Sequence, residues 1–155
     1  MNLRLERVVT PSDLNAALTE AWYPLVTKGQ VHPDALMALA QKFSEEPERF
    51  TGWVAYPKAP AYAQALGMMI VSMSRDADNH AVIEAGWARA MMLNEQILSD
   101  LRVELERWAR ENGIRSLSAV SARFGNGMEK LLGLLGFRLT AQVYTRRIGA
   151  EGGDL

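Results

Sequence analysis

The sequence predicts an α/β (α+β) domain, on three observations. Apolar runs bounded by turn residues, at 66–73 and 81–88, read as strands, whereas 11–25, 33–43 and 95–112 repeat their apolar residues every three or four positions, as helices do. The two patterns interleave along the chain: one strand, two helices, three strands, then helix, strand, helix and strand. A length of 155 residues with 48% hydrophobic and 23% charged composition suits one domain with its own core, read as residues 1–148, followed by a small, polar, flexible tail at 149–155.

In the first strand, Leu3, Leu5 and Arg7 alternate with Arg4, Glu6 and Val8, a pattern with one buried face. Thr10-Pro11-Ser12-Asp13 opens a helix. Thr10 is its N-cap, Pro11 fits the first helical position, and Asp13 favours the positive helix end. Leu14, Leu18, Trp22 and Leu25 form one stripe up to Lys28-Gly29. A second helix starts at Pro33, carries Leu36, Leu39, Ala40 and Phe43 inward, and stops at Glu45-Glu46-Pro47. Residues 52–56 read as a short strand and 57–64, with Pro57 and Pro60, as an irregular connection and possible contact surface, more simply a solvated loop.

Residues 66–73 and 81–88 form a central hairpin across the turn 74–79. Asn94 caps a helix over 95–112 with Ile97, Leu98, Leu101, Leu105 and Trp108 buried, Arg102–Glu106 and Glu106–Arg110 paired outside, and Gly113 as C-terminal cap. A strand at 115–121, a helix at 126–135 and a strand at 138–148 complete the domain.

Composition excludes several function classes. A net charge of -1 gives no basis for nonspecific nucleic-acid binding or a polybasic membrane surface. The absence of cysteine removes disulfides, thiolate metal sites and a cysteine nucleophile, and two histidines, His32 and His80, do not make a multi-histidine metal site. Arg4, Glu6 and Arg7 interrupt the first apolar stretch, unlike a signal peptide, and no run approaches the roughly 18 apolar residues of a membrane span. The expected location is cytoplasmic.

Two stretches of the second half carry a family likeness. Trp108-Ala109-Arg110-Glu111-Asn112-Gly113 closes a helix, and Leu131-Leu132-Gly133-Leu134-Leu135-Gly136-Phe137 precedes the last strand. With these stretches and the element order over 66–148, the chain resembles the GNAT superfamily of acyl-CoA-dependent N-acyltransferases. The resemblance implies a three-layer GNAT-like fold, with a mixed, mostly antiparallel central sheet of six to seven strands flanked by about four helices. It also implies a cofactor cradle, an R/Q-x-x-G-x-G/A turn whose backbone N–H groups and helix N-terminus hold the CoA diphosphate. Here that position is Met92, Leu93, Asn94, Glu95 and Gln96, and residues 88–112 contain no glycine. Side chains at Asn94 and Gln96 would crowd a diphosphate, and Glu95 brings a like charge. In the family's terminal pattern N-x-x-A-x-x-L-Y-x-x-x-G-F, the tyrosine position is Leu132 and the asparagine position Gly125.

Catalytic candidates are few. Glu84 lies on the strand from which family members often project a base, and is otherwise a solvated strand residue. Tyr144 is a substitute acid, or a packed strand tyrosine. Ser121-Ala122-Arg123-Phe124-Gly125-Asn126-Gly127 is a glycine-rich turn into a helix, where N–H groups and Arg123 suit an anion, although such glycines more often serve backbone geometry. Met68-Met69 and Met91-Met92 are adaptable enough for a partner groove but read first as core. Arg138, Arg146 and Arg147 are too sparse a patch for nucleic acid.

These features leave two main readings. In the first, the domain has lost acyl-CoA chemistry, takes no cofactor and serves as a structural or interaction module with protein partners or self-assembly. Degenerate domains of this kind resemble small proteins of tailed phages, some of them virion components, which would make the location a virion. Apolar surface is then expected outside the core, at Trp22, Trp53 or Trp87. In the alternative, the chain is an active N-acetyltransferase that holds acetyl-CoA on a glycine-free loop. A third reading keeps the fold alone, with an unrelated small ligand in the gap between splayed central strands.

Overall fold

The computed structural model describes residues 3–22, 26, 32–58, 65–74, 79–88 and 95–119, those of Ala21, Trp22, Trp87 and Ala88 as backbone only. In chain order they form β1 (Leu3–Val8), α1 (Pro11–Trp22), α2 (Pro33–Glu45), a 3₁₀ turn (Pro47–Arg49), β2 (Phe50–Pro57), β3 (Gly67–Met73), β4 (His80–Ala88), α3 (Glu95–Glu111) and β5 (Ser116–Ala119). The expected helix at 126–135 and strand at 138–148 lie outside the described residues.

One mixed sheet runs β1-β2-β3-β4-β5. The first four strands are antiparallel neighbours, and β5 lies parallel to β4, with α3 as the crossover that a parallel pair requires. Leu14, Ala17 and Leu18 of α1 and Leu36, Leu39 and Phe43 of α2 pack on Val54, Met68, Ile70 and Ala85. Leu101, Leu105, Trp108 and Ala109 of α3 cover Trp53, Met69, Val71, Ala81 and Ile83 on the opposite face. The sheet is therefore the middle of three layers, and it is apolar on both sides. That is why β2 and β3 are buried almost continuously instead of alternately.

The same fact corrects the reading of β1. Leu3 and Leu5 pack toward α3, but Val8, on the opposite face, is also buried, against α1 and α2. Trp53, expected as surface, is likewise 2% exposed and belongs to the core under α3. The exposed large apolar side chains among the described residues are Val9, Met37 and Val103. The side chains of Trp22 and Trp87 lie outside the described set.

Helix ends follow local chemistry. Thr10 Oγ1 accepts the Asp13 N–H at 3.1 Å while Asp13 Oδ2 accepts the Thr10 N–H at 3.1 Å, a reciprocal capping box. These backbone hydrogen bonds, with a third from Val9, hold the Asp13 carboxyl below its usual value. At α2, His32 Nδ1 accepts the Asp34 N–H at 3.1 Å, a cap the sequence did not announce. α3 ends with Gly113 at φ +69°; its N–H donates to the Arg110 carbonyl and that of Ile114 to the Ala109 carbonyl, the hydrogen-bond pattern of a Schellman motif. Of the two ion pairs expected on α3, Arg102–Glu106 forms at 3.2 Å, whereas Arg110 Nε donates to the Glu106 backbone carbonyl.

Candidate functional site

Where β3 meets β4, the register slips. Ile70 pairs with Ala85 but Val71 pairs with Ile83, so Glu84 is an extra residue inserted in the β3–β4 register. The consequence shows in the packing: Ala81 and Ile83 face α3, yet Ala85, of the same parity, faces α1 and α2. An inserted residue reverses the side-chain alternation of a strand, and such bulges re-aim a side chain.

Glu84 is thereby half-buried on the α1/α2 side of the sheet. Its Oε1 accepts the Ser72 hydroxyl at 2.8 Å. Ser72 is 2% exposed, and with Thr51 it is one of two buried polar residues in the described core. A solvated strand glutamate would have neither the burial nor this partner. The β4–β5 pairing ends at Ile83↔Ala119, so Glu84 is also the first residue of β4 beyond the described pairs.

The opposite end of β4 is tied down. His80 Nδ1 lies 2.7 Å from Ser116 Oγ and Nε2 lies 2.9 Å from Ser118 Oγ, spanning two residues of β5. Asn79, at φ 63°, presents its carbonyl to the N–H groups of Arg115 and Ser116. This contact sets the C-terminal end of α3 at the start of β4, so the helix N-terminus lies toward the strand's far end, beyond Glu84.

Of the expected cofactor residues, Glu95 and Gln96 form the first turn of α3, and both are exposed. Glu95 places a carboxylate at the positive helix end, where an anion would otherwise gain from the dipole. Gln96 Nε2 donates to Asp100 Oδ1 at 2.8 Å along the helix surface. Both side chains thus lie at the exposed first turn of the helix, a carboxylate and an amide bonded along its surface. Met92, Leu93, Asn94, Arg123 and Tyr144 lie outside the described residues.

A second polar cluster joins α1 to the sheet. Glu20 Oε2 accepts the Ala65 N–H at 2.6 Å and Oε1 accepts the Tyr56 hydroxyl at 3.3 Å. Partial burial, then the charge of Glu20, push the Tyr56 phenol up to about 12. Apart from these, a groove of about 490 Å³ between α1 and α2 is lined by Asn15, Leu18, Thr19, Leu36, Met37 and Ala40, away from Glu84. Sequence reasoning named Glu84 but neither Ser72 nor Glu20, whose roles depend on partners 12 and 45 residues distant.

No protein-family model matches the chain, and no curated protein sequence matches it significantly. Solved structures do. Aminoglycoside N-acetyltransferase AAC(6')-Iy, in complex with a bisubstrate analogue of CoA and acetylneamine, is 15% identical at a TM-score of 0.63, over 97% of this chain and 100% of its own. An enzyme named as a predicted acetyltransferase of Clostridium acetobutylicum, solved with acetyl-CoA, is 12% identical at a TM-score of 0.65, over 94% and 96%. Aminoglycoside 6'-N-acetyltransferase AAC(6')-Ih of Acinetobacter baumannii is 17% identical at a TM-score of 0.60, over 96% and 100%. At such identities the likeness establishes the architecture, and the architecture is the GNAT fold.

Proposed function

We propose that this GNAT-fold chain is an interaction module in which acyl-CoA chemistry has lapsed. The observation that supports it is the mouth of α3. Glu95 occupies the first turn, Gln96 is bonded along the helix, and residues 88–112 offer no glycine for close approach of a diphosphate. A CoA diphosphate there would face a carboxylate instead of bare N–H groups. Partners are then proteins or further copies of the chain. A structural or accessory role of the kind tailed-phage proteins play, in the virion or the host cytoplasm, is compatible with this reading.

One observation favours a second reading, an N-acetyltransferase using acetyl-CoA on a non-glycine loop. Glu84 stands half-buried in a bulge beyond the last described β4–β5 pair, the place from which the family's strands usually part. A carboxylate so held is suited to take a proton from an acceptor amine. The acceptors of the aminoglycoside enzymes it resembles in fold make neamine a reasonable first probe.

Calorimetric titration with acetyl-CoA, with thermal shift as control, separates the two, since a ligand of the native state must raise its stability. No heat and no shift at millimolar acetyl-CoA is expected. Micromolar binding overturns the interaction-module reading in favour of the enzyme.

A further inference from the structure

We infer that the outer edge of β1 is a self-pairing surface, on which a second copy of this chain lays its own β1 antiparallel about a two-fold axis at Leu5. The inference rests on the interaction-module reading and names its partner. β1 is the first strand of the sheet, and among the described residues it pairs with β2 alone. Ala55, opposite Leu5, turns its carbonyl to the Leu66 N–H on the β3 side, which makes Leu5 and Ala55 a pair that exchanges no hydrogen bonds. By the alternation of an antiparallel ladder, Leu3, Leu5 and Arg7 then direct their N–H and C=O groups away from β2, to the outer edge. Such an edge is a template for another strand.

Charged side chains usually blunt an edge, and β1 carries Arg4, Glu6 and Arg7. Their order decides what this edge accepts. Residues directly opposite in an antiparallel pair share a face, so a two-fold axis must pass through a residue of β1 and not between two. A centre at Arg4, Glu6 or Arg7 sets like charges face to face, and one at Leu3 or Val8 leaves most of the strand unmatched. A centre at Leu5 does neither. There Arg4 meets the partner's Glu6 and Glu6 the partner's Arg4, while Leu3 stands opposite the partner's Arg7. Arg4 Nε already lies 3.2 Å from Glu6 Oε1 within one chain, so the two copies close a ring of alternating charges on the α1/α2 face.

The α3 face supplies the apolar part. Leu5 and Leu98 pack against the cluster of Leu3, Ala55, Leu66 and Ile97, yet both stay partly exposed. The partner's Leu5, meeting Leu5 on the axis, extends this layer across the edge. Between the two faces, the outward backbone groups of Leu3, Leu5 and Arg7 bond to their counterparts, and two sheets become one.

The test uses the full chain. Sedimentation of wild type over a range of concentrations should show a monomer–dimer equilibrium. Glu6→Arg sets arginine against arginine, Arg4→Glu sets carboxylate against carboxylate, and each should weaken association about tenfold. Mixing the two variants restores opposite signs across the strand pair and should bring association back, as should the double variant R4E/E6R alone. Amide hydrogen exchange in wild type needs no variant and holds even if Arg4→Glu does not fold. The N–H groups of Leu5 and Arg7 should exchange more slowly as concentration rises, whereas those of Glu6 and Val8, turned toward β2, should not respond.

A strict monomer at every concentration overturns the inference. So does a dimer that both single variants leave unchanged, a mixture of the two that fails to associate, or exchange at Leu5 that ignores concentration. Acetyl-CoA titration of the same samples bears on the interaction-module reading alone, so the interface and that reading fail separately.

Discussion

Thr10 and Asp13 show what a single side chain contributes when its partner is three residues away. Their reciprocal hydrogen bonds satisfy two backbone donors at the start of α1, so Thr10→Ala should cost about 1 kcal/mol in denaturant unfolding. Asp13 adds a pH dependence. Its carboxyl titrates lower in the folded chain than in the unfolded one, so the unfolded state binds the proton more readily. Its contribution is fully present above about pH 4, the ordinary aspartate range, and is lost as pH falls through the folded value. Asp13→Asn should flatten the acid limb of a stability profile, and an unchanged slope would contradict the assignment. At the alkaline end the sign reverses. Tyr56, raised to about 12, stabilises the fold below the usual tyrosine value near 10, and that stability is lost as pH rises toward 12. Ultraviolet titration should find Tyr56 ionising late, and Glu20→Gln should bring it down part of the way, because burial is the larger cause.

At the scale of elements, what the sequence made legible was whatever depends on neighbours in the chain. The Thr10 cap, the Pro33 start of α2, the apolar stripe of α3 and the Gly113 terminus could all be read directly, because each is set by residue type and spacing within one segment. The bulge could not. Nothing in His80–Ala88 marks Glu84 as extra, since a register is a relation between two strands and is set by how β3 and β4 share two faces of packing. The close contact at Gly52 was hidden for the same reason. A Cβ there would lie 2.7 Å from the Met69 carbonyl oxygen and against Ile70, both on the neighbouring strand. Gly52→Ala must therefore displace backbone in the centre of the sheet, and a loss of about 1–3 kcal/mol is expected by chemical denaturation. Gly113→Ala meets only Asn79 Oδ1, at 3.8 Å, so its cost is the left-handed backbone alone, about 1 kcal/mol. The reverse order of the two effects would contradict the β2–β3 register.

For the whole molecule, the decisive feature is a sheet buried on both sides. Phe43, completely inaccessible and 5.2 Å from the Phe50 ring, anchors α2, and Trp108 anchors α3 on the opposite face. If both layers belong to one cooperative unit, Phe43→Ala and Trp108→Ala should each cost about 3–5 kcal/mol and each shift a single common transition downward. Two separate transitions in either variant would argue against a shared core. The amino-acid sequence by itself determined the order of the described elements, the Thr10 cap of α1, the apolar stripes of the helices and the lack of glycine over residues 88–112, because these follow from residue type and spacing along one chain. Only the tertiary structure decided that Val8 and Trp53 are core, that Glu84 is the inserted residue of β4, and that Ser72 and Glu20 are bonded where they are. Those outcomes depend on strand register and on which layer covers which face, and both are settled by packing between segments far apart in the chain.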